Sequence, residues 1–293
     1  MSAEANGVIH DIGYRRYTGA RLGRAYAVRS LYGGSLRAAF GLGRGAKAKV
    51  FPWSVVGLLT LVAVVIIAIF TRSPGMEMPY LEFPDNMSTF IVLFGAVVAP
   101  ELVSRDLRSG VLSLYFSRPI TRADYPLAKL AALVSAMWLL VAGPLLLMFL
   151  GAAFSVDRFG DVWPELGRFA EGLGSAGVYA IIFASLSLIV ATLSGRRAVA
   201  AAMIVAAFLI TTPVYGVLVE ISAESSTLQQ LAGLVSPPIL AVELNAWLFT
   251  DDTAGVGGVD DIGSYGPVYA LTALGLVVAC AGLLLLRYRK VAR

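Results

Sequence analysis

The chain has 293 residues, of which 58% are hydrophobic and only 14% charged, and its mean hydropathy of +0.77 excludes an ordinary soluble domain and assigns it to the membrane. The net charge of +4 is small and informative only through its distribution, so no nucleic-acid partner is expected. The single cysteine, Cys280, cannot form an internal disulfide or a thiolate metal site. No cofactor and no metal is expected.

The first fifty residues carry many basic side chains and no apolar core before Phe51, so no secretory leader is expected. Residues 1–20 are polar, without a clear period, and hold the sole histidine, His10, for which no catalytic role is expected. From Arg21 to Phe40 the apolar residues Val28, Leu31, Tyr32, Leu36, Ala39 and Phe40 recur at three- and four-residue steps among Arg24, Arg29 and Arg37. That spacing predicts an interfacial helix with its cations toward lipid headgroups, weakened by Gly33-Gly34. GLGRGAKAK, residues 41–49, is not a phosphate loop, because Lys47 lies between Ala46 and Ala48 rather than between Gly and Ser or Thr. Residues 1–50 thus read as an extension and interfacial helix, and 51–293 as the membrane domain.

A bilayer core needs about twenty apolar residues per helix. Six runs qualify to within a few residues: 51–70, 86–103, 128–154, 176–194, 198–219 and 267–286. The first and last are free of charge, and the third is long enough to tilt. The second ends in Pro100 and Glu101, so its last turn is expected outside lipid. Pro144 and Pro213 predict kinks. Two stripes of small residues, Ala198-Ala202-Ala206 and Gly275-Ala279, permit close helix packing within the monomer or against a second copy.

Between the fifth and sixth spans, Leu228 to Phe249 is largely apolar, yet Pro237-Pro238 and Glu243 argue against a simple span. A broken hairpin of two short helices is predicted. The acidic stretch after it lacks the ligand spacing of an EF-hand and reads as a solvated loop.

Placing both termini in the cytoplasm leaves only Arg72, Arg158 and Arg168 on the outer side among the basic residues. The positive-inside rule therefore selects this orientation. The broken hairpin, whose segment carries seven carboxylates and no Lys or Arg, then lies outside. No GxSxG, HExxH or cysteine pair is present, and the middle turns of the spans carry essentially no ionisable residue. An enzyme is not expected, and neither is an ion-coupled transporter, which needs polar groups near the midplane.

One polar segment stands out, RDLRSGVLSLYFSRPITRADYPLAK from Arg105 to Lys129. Leu107, Val111, Leu114 and Tyr115 fall on one helical face, predicting a short amphipathic helix along the membrane surface. Pro119 ends it by disfavouring helical geometry at Arg118, and Thr121 or Asp124 is available to cap the next span. Taken alone, the segment is either a lever for a cytoplasmic partner or a loop drawn to anionic lipid by Arg105, Arg108, Arg118 and Arg122.

The order of Asp106, Gly110, Arg118-Pro119-Ile120-Thr121-Arg122 and Lys129 at the start of an apolar helix resembles the permease subunits of ABC-2-type ABC transporters. Arg108 and Val111 depart from that pattern, where an acid and a threonine are common. The likeness of architecture covers roughly residues 20–290. It implies an all-α polytopic permease in the plasma membrane: six spans, a cytoplasmic connecting helix, an intracellular coupling helix and a broken extracellular hairpin. It also implies that Arg105, Asp106, Arg108, Gly110, Arg118, Pro119 and Arg122 form the contact with separate ATP-binding subunits. A second permease, identical or paralogous, would complete a dimer exporting an apolar or amphiphilic substrate. The alternative expectation is a membrane scaffold or signalling anchor that binds a cytoplasmic partner through the same helix. No substrate-binding residue is assigned, because Phe94, Trp138, Phe149 and Phe208 serve equally well to pack helices.

Overall fold

The computed structural model describes residues 19, 22–73, 77–109, 120–155, 160, 162–222, 225–249 and 263–291. Among them there is no strand. The described residues form ten α-helices in order: α1 (Arg24–Ala39), α2 (Ala46–Phe70), α3 (Glu82–Asn86), α4 (Ser88–Ser109), α5 (Asp124–Ser155), α6 (Val162–Leu193), α7 (Arg197–Ile221), α8 (Ser226–Ala232), α9 (Pro237–Phe249) and α10 (Gly266–Val291). Short 3₁₀ turns precede α9 and α10.

Five of these helices, α2, α5, α6, α7 and α10, are long and apolar enough to cross a membrane. The chain is a multi-pass membrane protein. The second predicted span falls short of that standard: α4 is apolar only over Ser88–Val103, less than the roughly twenty residues a bilayer core requires. Its helix nevertheless continues to Ser109, so that Glu101 sits in the last turn of the apolar stretch and Asp106 beyond it. The spans at α5 and α6 have 32 residues each, about 48 Å of helix, so both project beyond a hydrocarbon core of roughly 30 Å. α6 begins at Val162 rather than near residue 176, because Val162–Ser175 is helical although polar enough to escape a hydropathy reading. Pro144 and Pro213 sit inside unbroken helices.

α6 is the hub, packing on α4, α5, α7, α9 and α10, while α5 also receives α1 and α2. More than half of the apolar stretch of α6 is buried, against less than a quarter for α2, α7 and α10. The core is built around Met137, Leu140, Leu145, Tyr179, Phe183 and Leu188, all at most 1% exposed. Outward lie Leu61 and Val64 of α2, Leu209 and Ile210 of α7, and Leu271 and Leu274 of α10. Such faces suit lipid and would aggregate in water. Most of both small-residue stripes is on this periphery: Ala198, Ala202, Gly275 and Ala279 are exposed, while Ala206 is half-buried.

The broken hairpin forms as predicted. The stretch Thr227–Val235 and the helix Pro237–Phe249 meet at 120° across Ser236, where Pro237 and Pro238 cannot donate backbone hydrogen bonds to a continuous helix. Glu243 and Asn245 on α9 are 3% and 5% exposed, so the polar side chains of this element pack into protein. At the same end, Tyr179 donates to Asp85 Oδ1 at 3.2 Å, and Arg168 bridges Glu77 and Glu165 at 2.6 and 3.0 Å. Burial raises the Asp85 carboxyl above its ordinary range, with Tyr179 acting against that shift.

α1 lies on α5, with Ser35 and Ala39 buried and Tyr32 donating to Ser135 Oγ at 2.9 Å. The glycines after it make a tight turn into α2. Gly41 has φ of +68°, and a Cβ there would stand 2.5 Å from the Ala48 carbonyl oxygen; only glycine fits. The residues that mimic a phosphate loop in sequence are therefore a helix-helix corner.

Candidate coupling site

The sequence-predicted coupling residues surround a segment, 110–119, that lies outside the described residues together with Gly110, Arg118 and Pro119. Arg105 and Arg108 belong to the last turn of α4, but their side chains are also outside the described residues. Asp106–Ser109, predicted as the start of a surface helix, continue α4 instead. Arg122 is exposed in the turn before α5. Asp106 is held at the end of α4, before the segment, and Thr121 and Asp124 are held where α5 begins, after it.

Asp106 meets two side chains from the first two turns of α5. Tyr125 donates to Asp106 Oδ2 at 2.6 Å, and Lys129 Nζ lies 3.0 Å from the same oxygen. The Lys129 side chain is 8% exposed and that of Asp106 16%. Two nearly buried charged side chains each need a partner, and each is the other's. The ammonium also sits 5.4 Å from the centre of the Tyr125 ring, a cation–π distance. Tyr125 in turn packs on Tyr288 of α10, ring centres 5.2 Å apart. One carboxylate thereby ties the end of α4 to α5, and through an aromatic contact to α10.

Beyond the segment, Thr121 and Asp124 satisfy one another. The Thr121 amide donates to Asp124 Oδ2 at 2.9 Å and the Asp124 amide to Thr121 Oγ1 at 3.3 Å, the reciprocal pattern of a capping box. Both residues offered by the sequence as caps are used. Arg24 of α1 then forks onto the same carboxylate, Nε to Oδ2 at 2.7 Å and Nη2 to Oδ1 at 2.6 Å. The hydrogen bond to Asp124 and its charge raise the Arg24 guanidinium further above its ordinary value. Arg24, predicted to face headgroups, instead ties α1 to the N-terminus of α5.

A second knot lies beside the first. Glu101 of α4 pairs with Arg44, from the corner between α1 and α2, and with Arg197, the first residue of α7. Three elements distant in sequence thus converge on one carboxylate. Sequence reasoning noted Glu101 only as a residue leaving lipid. Its partners could not be read because they lie 57 and 96 positions away in the chain.

Among the described residues no cluster of His, Cys, Asp or Glu could hold a metal ion. The four apolar residues left open as packing or path residues all pack: Phe94 against Phe40, Phe208 against Phe183, Phe149 on Phe169, and Trp138 donates to the Leu173 carbonyl at 3.0 Å. No known protein family matches this chain, and no curated protein does.

Proposed function

We propose that the chain is the membrane-spanning permease subunit of an ATP-driven transporter of the ABC-2 type, with residues 105–122 as the contact through which separate ATP-binding subunits act on it. The observation that carries this reading is the anchoring on both sides of the segment. Asp106, four residues before Gly110, is fixed to Tyr125 and Lys129. Thr121 and Asp124, just after Pro119, are fixed to one another and to Arg24. A force on the intervening segment is therefore delivered at once to α1, α4 and α5, and through Tyr125 to α10. A loop serving only to close two helices needs no such bracing.

In this reading the termini and the basic end are cytoplasmic, the membrane is the plasma membrane, and the broken hairpin is extracellular. The chain contributes the path and the lever, while its partners hydrolyse ATP. A second permease completes the assembly, and the exported substrate is apolar or amphiphilic.

The test is to extract the tagged full chain from its native membrane in mild detergent and identify what accompanies it. An ATP-binding subunit should accompany the native chain and be lost with the double substitution of Asp106→Ala and Arg118→Ala. In a reconstituted complex Gly110→Trp should hydrolyse ATP without transport. Recovery of no nucleotide-binding partner, or undiminished transport by the variant, overturns the proposal and favours a scaffold.

A further inference from the structure

A cleft lies beside the Glu101 knot. It has a volume of about 1000 Å³ and lies over α4 between the N-terminal ends of α2 and α7. Its rim carries Arg44, Lys47 and Arg197, and one acid, Glu101. Its wall is apolar, including Phe51 of α2 and Val97 of α4. Val97 is 42% exposed, and Leu93, one turn further along α4, is 37% exposed. On a helix these two residues share a face, so an apolar strip runs from the charged rim along the apolar length of α4.

The charges at the rim do not balance. Glu101 answers two guanidiniums at once, and Lys47 is exposed, with no ion pair among the described residues. Neither α2 nor α7 has an acid in its first turn, and neither is capped by a side chain. Each instead places cations where the helix dipole already favours an anion. This surplus of positive charge above an apolar strip is complementary to a molecule with one anionic end and long hydrocarbon chains.

We infer that the cleft between α2 and α7 binds an anionic phospholipid, its phosphate among Arg44, Lys47 and Arg197 and an acyl chain along Val97 and Leu93. Basic recesses between membrane helices recognise such headgroups by charge, and the apolar strip selects a lipid over a free anion.

Native mass spectrometry of the purified full chain, titrated with phosphatidylglycerol and with phosphatidylcholine, tests this directly. Phosphatidylglycerol should bind at least tenfold more tightly. Lys47→Glu, at an exposed position, should abolish that preference. So should the triple substitution of Arg44, Glu101 and Arg197 to Gln, which removes the cations without stranding the carboxylate. Arg29→Gln with Arg37→Gln, which removes two exposed charges from α1, should leave the preference intact. The inference is overturned by equal binding of the two lipids, by an unchanged preference in Lys47→Glu, or by loss of preference in the α1 control. Binding of glycerol 3-phosphate as tight as that of phosphatidylglycerol also overturns it, by assigning the site to free phosphate esters.

Discussion

Asp106 and Lys129 are worth more as a pair than as individuals. Removing one partner leaves a nearly buried charge uncompensated, a loss of about 3 kcal/mol or more, whereas removing both costs less because neither charge must then be desolvated. Asp106→Asn and Lys129→Met should each lower the thermal midpoint in detergent clearly, and the double variant should recover part of the loss. Additive losses across the four proteins would show that the two side chains are not coupled. The sequence supplied both residues and their place at the ends of two apolar helices. It could not supply their pairing, which depends on how α4 and α5 are rotated about their own axes.

At the scale of the element, the start of α5 rests on a local cap and a distant clamp. Asp124→Ala removes both, since its carboxylate accepts from the Thr121 amide as well as from Arg24. Arg24→Ala removes only the clamp, whose guanidinium is largely in solvent, where ion pairs are weak. The Asp124 variant should therefore be the less stable of the two, with loss of the cap alone accounting for about 1 kcal/mol. Equal thermal midpoints would mean that the box contributes nothing. The capping residues were legible because a cap is set by neighbours three positions apart. The early start of α6 was not, because its first turns are polar and are held by Arg168 with Glu77 and by Phe169 against Tyr80, partners far away in the chain.

Across the whole molecule, burial separates two kinds of apolar residue that look alike in sequence. Phe208 and Leu209 are adjacent on α7, yet Phe208 is 4% exposed against Phe183 and Leu209 is 62% exposed on the periphery. Phe208→Ala should cost about 3–5 kcal/mol through the cavity it leaves. Leu209→Ala should change stability little, since lipid tails are as apolar as the side chain they replace. Thermal unfolding of both variants in one detergent distinguishes them, and equal losses would place Leu209 in an interface.

The sequence by itself determined the membrane class, the apolar stretches of five crossing helices though not where α6 begins, the broken hairpin at Pro237-Pro238 and the caps of α5. Each follows from composition or from residues within a turn or two of one another, where hydropathy, proline geometry and capping act locally. Only the tertiary structure decided that α6 is the hub, that Arg24 serves α5, that Glu101 gathers Arg44 and Arg197, and that α4 carries a cleft between α2 and α7. Those depend on which faces of separate helices meet, and in lipid many apolar faces are nearly equivalent, so the choice falls to sparse polar contacts between residues far apart in the chain.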